Sequence, residues 1–288
     1  MAALGDTIQQ THASLEAAGI PDARLEAELL LTSVLNVPRH RIYAFQEQEL
    51  TPEEANLLEG LLERRLRREP LAYILGHKEM YGVDLTVGPG VMIPRPETEL
   101  LVERCLFLGM MRMHEGEMVI AEAGTGSGGI SINLAIHLPA ARVYATELSE
   151  EALKIAETNI RMHNVQDRVT LLRGDLLVPV TEPVDLIVAN LPYIPADRIA
   201  TLQPEVQREP REALDGGPDG LDVIRRLLRQ SLHKLKRTGV MVLEIDPEQA
   251  QPLTEDALAL FPGAAISIEQ DLASLDRVFV MELGGATA

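Results

Sequence analysis

The chain has 288 residues and an acidic composition, with 44 Asp and Glu residues against 26 Lys and Arg residues and a formal net charge of −18. Proteins that dock on RNA or DNA usually carry a basic surface, because phosphate neutralisation supplies much of their affinity. Aromatic residues make up 3% of the chain and tryptophan is absent, which leaves few side chains to stack on unpaired bases. The composition therefore argues against stable binding to nucleic acid.

The single cysteine, Cys105, rules out an internal disulfide and fits a reducing compartment. It lies among leucines and valine, a setting that favours a packed thiol over a reactive one. The amino terminus shows no leader pattern, and no apolar run reaches the roughly 18 residues that a membrane span needs. No His, Cys or carboxylate spacing is typical of a metal site. We therefore expect a cytoplasmic, monomeric protein without a metal and not bound to a membrane.

The first predicted elements are helices. From about residue 6 to residue 66, apolar residues recur at helical spacing and no strand alternation is evident. Thr51-Pro52-Glu53-Glu54 is typical of a helix start, with a cap, a first-turn proline and two acids, and predicts a helix from residue 52 to about residue 68. Residues 1–78 are thus expected to form a small helical bundle, which we interpret as a substrate-recognition domain.

The end of that helix carries a basic cluster, which consists of Arg64, Arg65, Arg67 and Arg68. Glu63 and Glu69 flank it, so the pattern favours a solvated helix face. A local patch that contacts RNA or an acidic partner is the alternative.

A β-hairpin is predicted next, over residues 79–95, as a link to the rest of the chain. Its strands would be residues 81–87 and 91–93, joined by a turn at Gly88-Pro89-Gly90. In the remaining domain, residues 96–288, predicted strands and helices alternate. That alternation is typical of an α/β domain, in which helices cover both faces of a parallel sheet.

The first strand of this domain, residues 118–121, runs into a glycine-rich loop before the apolar helix of residues 130–138. Glycines allow close backbone approach and positive φ, and the free amides of a helix start favour an electron-rich group. The loop therefore predicts a nucleotide-like cofactor. It also fits the G-x-G-x-x-G spacing, so by itself it does not separate a nicotinamide cofactor from S-adenosylmethionine. The candidate cofactor-binding residues here are Glu122, Gly124, Thr125, Gly126, Ser127 and Gly128.

Two further acidic positions follow the next strands. Glu147 ends the strand of residues 141–146, about twenty residues past the glycine loop, where a carboxylate can accept hydrogen bonds from ribose hydroxyls. Asp175 and Leu176 follow the strand of residues 169–173 and would contact the edge and the face of an adenine. A strand end at Glu147 and a turn cap at Asp175 are the plainer interpretations.

Asn190-Leu191-Pro192-Tyr193 follows the apolar strand of residues 184–189. Asn190 and the Leu191 carbonyl can accept both hydrogens of a planar NH2 group, Pro192 fixes the turn and Tyr193 offers a stacking face. We expect Asn190, Pro192 and Tyr193 to be catalytic, the tetrad to bind the substrate, and Asn190 to contact the cofactor as well. The tetrad alone is also consistent with an ordinary turn that ends a strand.

With these residues in sequence, the chain resembles class I S-adenosylmethionine-dependent methyltransferases. Further motifs are similar to the HemK/PrmC family, and the similarity extends from about residue 25 to residue 283. These motifs are residues 68–76, residues 93–99 (I-P-R-P-E-T-E), Glu209-Pro210, Ala213-Leu214, Gly216-Gly217 and Asp219-Gly220-Leu221.

The resemblance implies a Rossmann-like α/β fold with a seven-stranded sheet whose last strand runs antiparallel. It implies S-adenosylmethionine as the methyl donor and S-adenosylhomocysteine as the product. The acceptor would be the side-chain amide nitrogen of the glutamine in the Gly-Gly-Gln motif of class 1 peptide chain release factors, whose methylation modulates translation termination. Arg95 would then bind substrate, and an ion pair with Glu97 or Glu99 is its structural alternative.

Two positions depart from the family pattern. Leu191 stands where the family usually has a second proline, which leaves the carbonyl available and reduces the rigidity of the turn. Asp246 stands where the family usually has glycine, with no consequence that the sequence reveals. Because N-L-P-Y also occurs in rRNA adenine dimethylases, an adenine methyltransferase acting on RNA or DNA is one alternative. A non-catalytic cofactor-binding protein is another, and a nicotinamide-dependent dehydrogenase is a distant one.

Overall fold

A computed structural model of the chain describes residues 3–112 and 117–284. The terminal residues of the predicted domain ranges, 1–2 and 285–288, lie outside the described residues. The chain divides into two units. The first comprises Met1–His77 and Gln203–Arg208, and the second comprises Lys78–Leu202 and Glu209–Ala288.

The first unit is helical, with a core built mainly from leucine and isoleucine side chains such as Ile8, Leu15, Leu30 and Ile42. The predicted helix start at Thr51 is confirmed: its side chain accepts a hydrogen bond from the Glu54 backbone N–H, and the Glu54 carboxylate accepts one from the Thr51 N–H. The helices are α1 (Leu4–Ala17), α2 (Ala23–Leu35), α3 (Arg39–Ala44), α4 (Pro52–Leu66) and α5 (Leu71–Leu75).

The arginines at the end of α4 are paired with carboxylates within this unit. Arg65, predicted to be solvated, has a side chain only 3% exposed and binds Glu26 and Glu205 at 2.5 and 2.8 Å. The other three arginines are also paired: Arg64 binds Glu69, Arg67 binds Glu63 and Arg68 binds Glu205. The expectation of a solvated face is therefore wrong for Arg65, because helix α2 and the segment around Glu205 enclose it.

The β-hairpin is present, with strands that differ from the predicted ones. Strands β1 (His77–Met80) and β2 (Val83–Thr86) are joined at Tyr81-Gly82, where φ is +50° and +73°. Positive φ at both central residues is the requirement of a two-residue type I′ turn, whose twist suits a hairpin. The predicted turn at Gly88-Pro89-Gly90 is therefore wrong, and residues 91–93 form no strand.

A seven-stranded sheet organises the second unit. Its strand order is β5-β4-β3-β6-β7-β9-β8, and β9 runs antiparallel to both of its neighbours, as expected for the last strand. The strands are β3 (Met118–Ala123), β4 (Ala141–Glu147), β5 (Val169–Arg173), β6 (Val184–Ala189), β7 (Leu235–Glu244), β8 (Ala265–Gln270) and β9 (Asp276–Glu282). The helices are α6 (Thr98–Arg112), α7 (Gly129–His137), α8 (Glu150–Met162), α9 (Asp222–Ser231) and α10 (Ala250–Leu260).

Helices cover both faces of this sheet because its strands are apolar on both sides. Val119 and Ala121 of β3 belong to a buried cluster that includes α9 and α10 residues. Glu122 lies on the opposite face, as strand alternation requires, and binds Ser131 of α7. The carboxyl ends of β3, β4, β6 and β7 meet at one edge, with the chain reversing its winding direction between β3 and β6. Ligands of open α/β sheets bind at such a switch point.

None of the helices within residues 3–112 and 117–284 is long and apolar enough to cross a membrane.

Candidate active site

A cavity opens at the switch point of the sheet, and we call it the central cavity. It encloses about 800 Å³ of empty space, which includes open solvent at its mouth. The glycine loop and Glu147 form one side of its lining, and Thr98, Asn190, Leu191 and Pro192 contribute to another. Further lining residues come from the two family motifs around Pro94 and Pro210.

The glycine loop has the backbone conformation that the sequence predicts. Gly124, Gly126 and Gly128 all adopt positive φ, at +73°, +55° and +87°. The N–H groups of Gly124 and Thr125 both donate to the Thr146 carbonyl, at 3.0 and 2.9 Å, which fixes the loop against the end of β4. No atom outside the immediate neighbours lies within 4 Å of a Cβ built on Gly126. The loop therefore leaves room for a ligand directly over its backbone.

Glu122 lies beneath this loop and is 1% exposed. One carboxylate oxygen accepts hydrogen bonds from the Thr125 hydroxyl at 2.6 Å, the Ser131 N–H at 3.0 Å and the Ser131 hydroxyl. Burial raises the pKa of Glu122 to about 7, although these hydrogen bonds favour the charged form. Glu122, near the end of β3, thus supports the glycine loop through these hydrogen bonds. It also lines the cavity.

Glu147 is held by three backbone amides and faces the same cavity. Its carboxylate accepts from Gly126 at 2.9 Å, Leu148 at 2.8 Å and Ser149 at 3.0 Å. A carboxylate offers about four lone-pair positions, so roughly one remains for a ligand hydroxyl. The arrangement fits a ribose contact.

Asp175 and Leu176 are not among the residues that line the central cavity. The Asp175 carboxylate binds Arg226 and accepts a hydrogen bond from Gln230 at 3.1 Å, both on α9. Leu176, with φ of +50°, is buried in the core. The adenine contact expected of this pair therefore stays a prediction.

Asn190 directly follows β6, and its amide is held from one side. Its Nδ2 donates to the Thr98 hydroxyl at 2.9 Å and to Glu244 at 3.0 Å. Its carbonyl oxygen, Oδ1, is buried and has no hydrogen-bond donor among the described residues. Nor does any described residue donate to the backbone carbonyl of Leu191. Asn190 and Leu191 both line the cavity, so the tetrad has two acceptors without partners beside it, the property that the sequence predicts for binding an NH2 group.

Tyr193 is not among the residues that line the cavity. Its hydroxyl donates to Glu244 at 3.1 Å and its ring packs against the sheet core. Burial raises the pKa of the Tyr193 phenol, so the hydroxyl remains a donor at neutral pH. Its expected stacking on a substrate amide stays a prediction.

Glu244 and Thr98 are site residues that the sequence pattern did not predict. Both are buried, at 1% and 3% exposed, and the Thr98 hydroxyl donates to Glu244 at 2.7 Å. Burial raises the pKa of Glu244, against the opposing effect of the Thr98 and Tyr193 hydroxyls. A signal for Glu244 was available: it is a carboxylate at the end of the otherwise apolar run of residues 240–245.

Arg95 pairs with a different carboxylate from those expected. It binds Glu209, and the other Glu209 oxygen accepts a hydrogen bond from the Ile93 N–H at 3.1 Å. Glu99 instead accepts from the Tyr81 N–H at 2.9 Å. The predicted ion pair of Arg95 with Glu97 or Glu99 is therefore wrong. Glu209 is 5% exposed, and burial raises its pKa despite the adjacent guanidinium. Burying this carboxylate is unfavourable by itself, and its bonds to Ile93 and Arg95 connect the two family motifs.

The backbone of the tetrad is enclosed by motif glycines. A Cβ on Gly220 would lie 2.1 Å from the Tyr193 carbonyl oxygen, and one on Gly216 would lie 2.7 Å from the Pro192 carbonyl oxygen. Gln249, 3% exposed, donates to the Tyr193 carbonyl at 2.7 Å. These contacts explain why glycine is required here and hold the turn after Asn190 in place.

Asp246, whose role the sequence leaves open, caps the short 3₁₀ helix Pro247–Gln249. Its side chain accepts from the Glu248 N–H at 3.2 Å, and its own N–H donates to the Gln249 side-chain oxygen at 3.0 Å. That second bond orients the Gln249 amide so that its NH2 group reaches the Tyr193 carbonyl. Because glycine would supply the same backbone N–H, what the aspartate adds is the side-chain cap of the 3₁₀ helix that carries Gln249.

No group of three or more His, Cys, Asp and Glu side chains that could hold a metal ion occurs in the part of the chain that the structure describes. Cys105 is fully buried, and burial raises the pKa of its thiol.

Comparison with known proteins agrees with this geometry. The family model described as the PrmC N-terminal domain matches residues 6–76, and the model of ribosomal protein L11 methyltransferase (PrmA) matches residues 101–215. A release factor glutamine methyltransferase of Moorella thermoacetica is 41% identical over 280 residues, 96% of each chain. Another, from Geobacter sulfurreducens, is 39% identical over 279 residues, 95% of this chain and 94% of the relative.

Among solved structures, the hMettl16 catalytic domain in complex with MAT2A 3′UTR hairpin 6 superposes with a TM-score of 0.58. It is 16% identical, over 79% of this chain and 84% of the other, so the likeness concerns the fold alone. The expected class I methyltransferase fold is thereby confirmed, as is the resemblance to the HemK/PrmC family. With full-length relatives at this level of identity, the chain belongs to the release factor glutamine methyltransferase family and is a methyltransferase.

Proposed function

We propose that this enzyme transfers a methyl group from S-adenosylmethionine to the side-chain amide nitrogen of the glutamine in the Gly-Gly-Gln motif of class 1 peptide chain release factors. The observation that carries the proposal is the pair of unpartnered acceptors at the central cavity, Asn190 Oδ1 and the Leu191 carbonyl. A primary amide has two N–H donors in one plane, and two acceptors match it. The relatives named above support the same substrate.

The residues around the cavity suit S-adenosylmethionine. The open backbone of the glycine loop allows close approach, the Glu147 carboxylate is preset for a ribose hydroxyl, and Glu122 lies within the lining. We assign cofactor contacts to residues 122 and 124–128, to Glu147 and to Asn190, and we retain Asp175 and Leu176 as the adenine contacts to be tested. The bound cofactor supplies an electrophilic methyl group on a sulfonium.

The chain's own residues contribute positioning. An amide nitrogen is a poor nucleophile because its lone pair is delocalised into the carbonyl. Acceptance of both N–H groups by Asn190 and Leu191 turns the nitrogen toward the methyl carbon, and such alignment supplies roughly 7–11 kcal/mol in favourable cases. Bound S-adenosylmethionine would supply the methyl group, and the Asn190 and Leu191 acceptors would hold the two N–H groups, one of whose hydrogens the nitrogen would give up to solvent on methylation.

The electrostatics of the surface support a protein substrate over RNA. The chain carries a net charge of −18, and the four arginines at the end of α4 each bind a carboxylate. Paired guanidinium groups are poor phosphate ligands because their donors are already used. Binding RNA at this cluster would first require those ion pairs to be broken.

The test is methyl transfer from labelled S-adenosylmethionine to a purified release factor. Parallel reactions contain a Gln→Ala factor, rRNA in place of the factor, or the Asn190→Ala enzyme. We expect label on the factor alone, its loss in the Gln→Ala factor, and a fall of about 10²–10³-fold in kcat with Asn190→Ala, comparable to removing one catalytic hydrogen bond. Label on RNA alone would assign the enzyme to adenine methylation and overturn the proposal.

A further inference from the structure

Four hydrogen-bonded side chains lie at the cavity wall around Asn190, two of them buried and two half-buried, and we call them the Glu244 cluster. It consists of Thr98, Asn190, Tyr193 and Glu244. Its members come from three places that are far apart in sequence: the first residue of α6, the turn after β6 and the last residue of β7. They meet because β6 and β7 are parallel neighbours, with Ala189 opposite Leu243.

The hydrogens of this cluster leave one way to orient the Asn190 amide. The Thr98 hydroxyl donates its hydrogen to Glu244 Oε2, so toward Asn190 it offers only a lone pair. Glu244 Oε2 accepts from the Thr98 hydroxyl and the Asn190 amide, and in the ionised form, which the Thr98 and Tyr193 hydroxyls favour against the effect of burial, it accepts only. Both atoms that face this end of the Asn190 amide are therefore acceptors, and the end that meets them must be the NH2 group.

The opposite orientation would place the carbonyl oxygen against two acceptors. It would also leave the NH2 group at the position where Oδ1 now lies buried without a donor. An acceptor at that position attracts a substrate N–H, whereas an NH2 group would attract a substrate oxygen. The cluster thus determines whether Asn190 offers a hydrogen-bond acceptor or a donor to the substrate.

We propose that Glu244 and Thr98 are positioning residues that make the enzyme specific for a glutamine amide and exclude the isosteric glutamate. This inference rests on the proposed function. Two acceptors, Asn190 Oδ1 and the Leu191 carbonyl, bind the two N–H groups of an amide and repel a carboxylate. Sites built on such paired hydrogen bonds discriminate strongly, because the wrong ligand leaves buried polar groups unpaired.

Tyr193 provides an internal control within the same cluster. Its hydroxyl binds Glu244 Oε1, the oxygen that does not contact Asn190. Tyr193→Phe therefore removes a buried hydrogen bond from the same carboxylate and leaves both acceptors that face the Asn190 amide. If the cluster only stabilised the fold, loss of the Tyr193 hydrogen bond and loss of the Thr98 hydrogen bond would have equal effects on specificity.

The experiment measures KM for the natural release factor and the inhibition constant of a Gln→Glu factor as a competitor. The discrimination ratio is that inhibition constant divided by that KM. Thr98→Val, close in shape and lacking the hydroxyl, is expected to lower the ratio by about tenfold or more, since one end of the Asn190 amide loses a buried partner. Thr98→Ser restores the hydroxyl and is expected to recover most of the wild-type ratio.

Glu244→Met, which removes the carboxylate at similar length, is expected to lower the ratio further than Thr98→Val, and Tyr193→Phe is expected to leave the ratio within about threefold of wild type. A fall in kcat with an unchanged ratio in both Thr98→Val and Glu244→Met would show a structural role and overturn the proposal. So would equal falls in the ratio for Tyr193→Phe and Thr98→Val. The wild-type reaction distinguishes failure of the proposed function from failure of this inference. A wild-type enzyme that does not label the factor refutes the proposed function itself.

Discussion

Two buried carboxylates support the two sides of the central cavity, and they do so differently. Glu122, on β3, binds the Thr125 and Ser131 hydroxyls and the Ser131 N–H beneath the glycine loop. Glu244, at the end of β7, binds Thr98, Asn190 and Tyr193. Both are almost fully buried at the same edge of one sheet. The first supports a loop whose backbone faces the ligand, and the second orients a side chain that does.

The difference lies in which polar atoms are left without partners. On the glycine-loop side, Glu147 is already bound by three backbone N–H groups. On the tetrad side, Asn190 Oδ1 is buried without a donor, which costs about 1–3 kcal/mol in the free protein. Recognition by backbone shape thus needs glycine and space, whereas recognition by hydrogen bonding needs an oriented amide. A substitution should therefore act differently on the two sides.

The largest expected effect is that of Gly220→Ala, on the tetrad side. The new Cβ would lie 2.1 Å from the Tyr193 carbonyl oxygen, at a residue with φ of +76°. We expect the free energy of unfolding to fall by roughly 3 kcal/mol and kcat to fall by about 100-fold. Urea unfolding and steady-state methylation measure the two quantities.

Gly126→Ala is the counterpart on the glycine-loop side. Its Cβ meets no protein atom within 4 Å, and φ is +55°, so we expect about 1 kcal/mol of strain together with a loss of affinity for S-adenosylmethionine. Gly263→Ala, with φ of +94° and no atom within 4 Å of its Cβ, controls for backbone strain alone. Equal stability losses in all three variants would show that φ, rather than close packing at the tetrad, accounts for the effect.

The next prediction concerns how the free energy of unfolding depends on pH through Glu122. Its pKa is raised to about 7 from the ordinary 4.5, so between these values the native state holds a proton that the unfolded state releases. The free energy of unfolding is therefore expected to fall as pH rises through this window, by at most about 3 kcal/mol, and to level off above pH 7. Urea unfolding at several pH values measures this slope.

Glu122→Gln does not titrate and should remove that part of the slope. The parts due to Glu209 and Glu244, whose pKa values burial also raises, should persist. An identical slope in the wild type and in Glu122→Gln would contradict the assignment.

The smallest effect is expected for Leu191→Pro, which restores the residue usual in the family. Leu191 is 4% exposed, and its Cδ2 lies 3.0 Å from the position of a Cβ on Gly124. A gain of about 0.4–1 kcal/mol from chain rigidity offsets the lost leucine packing, so we expect a net stability change under about 1 kcal/mol. Thermal unfolding and kcat/KM provide the readouts, with the volume-conserving Leu191→Met as the control. A loss of activity above about tenfold, absent in Leu191→Met, would mean that the Leu191 N–H has a role that proline removes.

Several features followed from local patterns in the sequence. The strand of residues 184–189, the glycine loop, Glu147 and the cap at Thr51 were predicted where the structure has them. Each depends on residues within a few positions of one another, since strand period, positive φ and helix capping are local properties. The order of these segments along the chain was enough to indicate the fold and the kind of ligand.

Other features depend on which segments the fold brings together. Thr98 and Glu244 are 146 residues apart in sequence and form one hydrogen bond, and Arg95 binds Glu209 across 114 residues. Local patterns pointed to Glu97 and Glu99 for Arg95 and to solvent for Arg65, because neighbours in sequence are the only partners that a pattern can show. The sequence by itself determined that an Asn-x-Pro-Tyr turn ends a buried strand beside a glycine loop. Only the tertiary structure decided which end of the Asn190 amide is bound, because the fold brings Thr98 of α6 and Glu244 of β7 to that end.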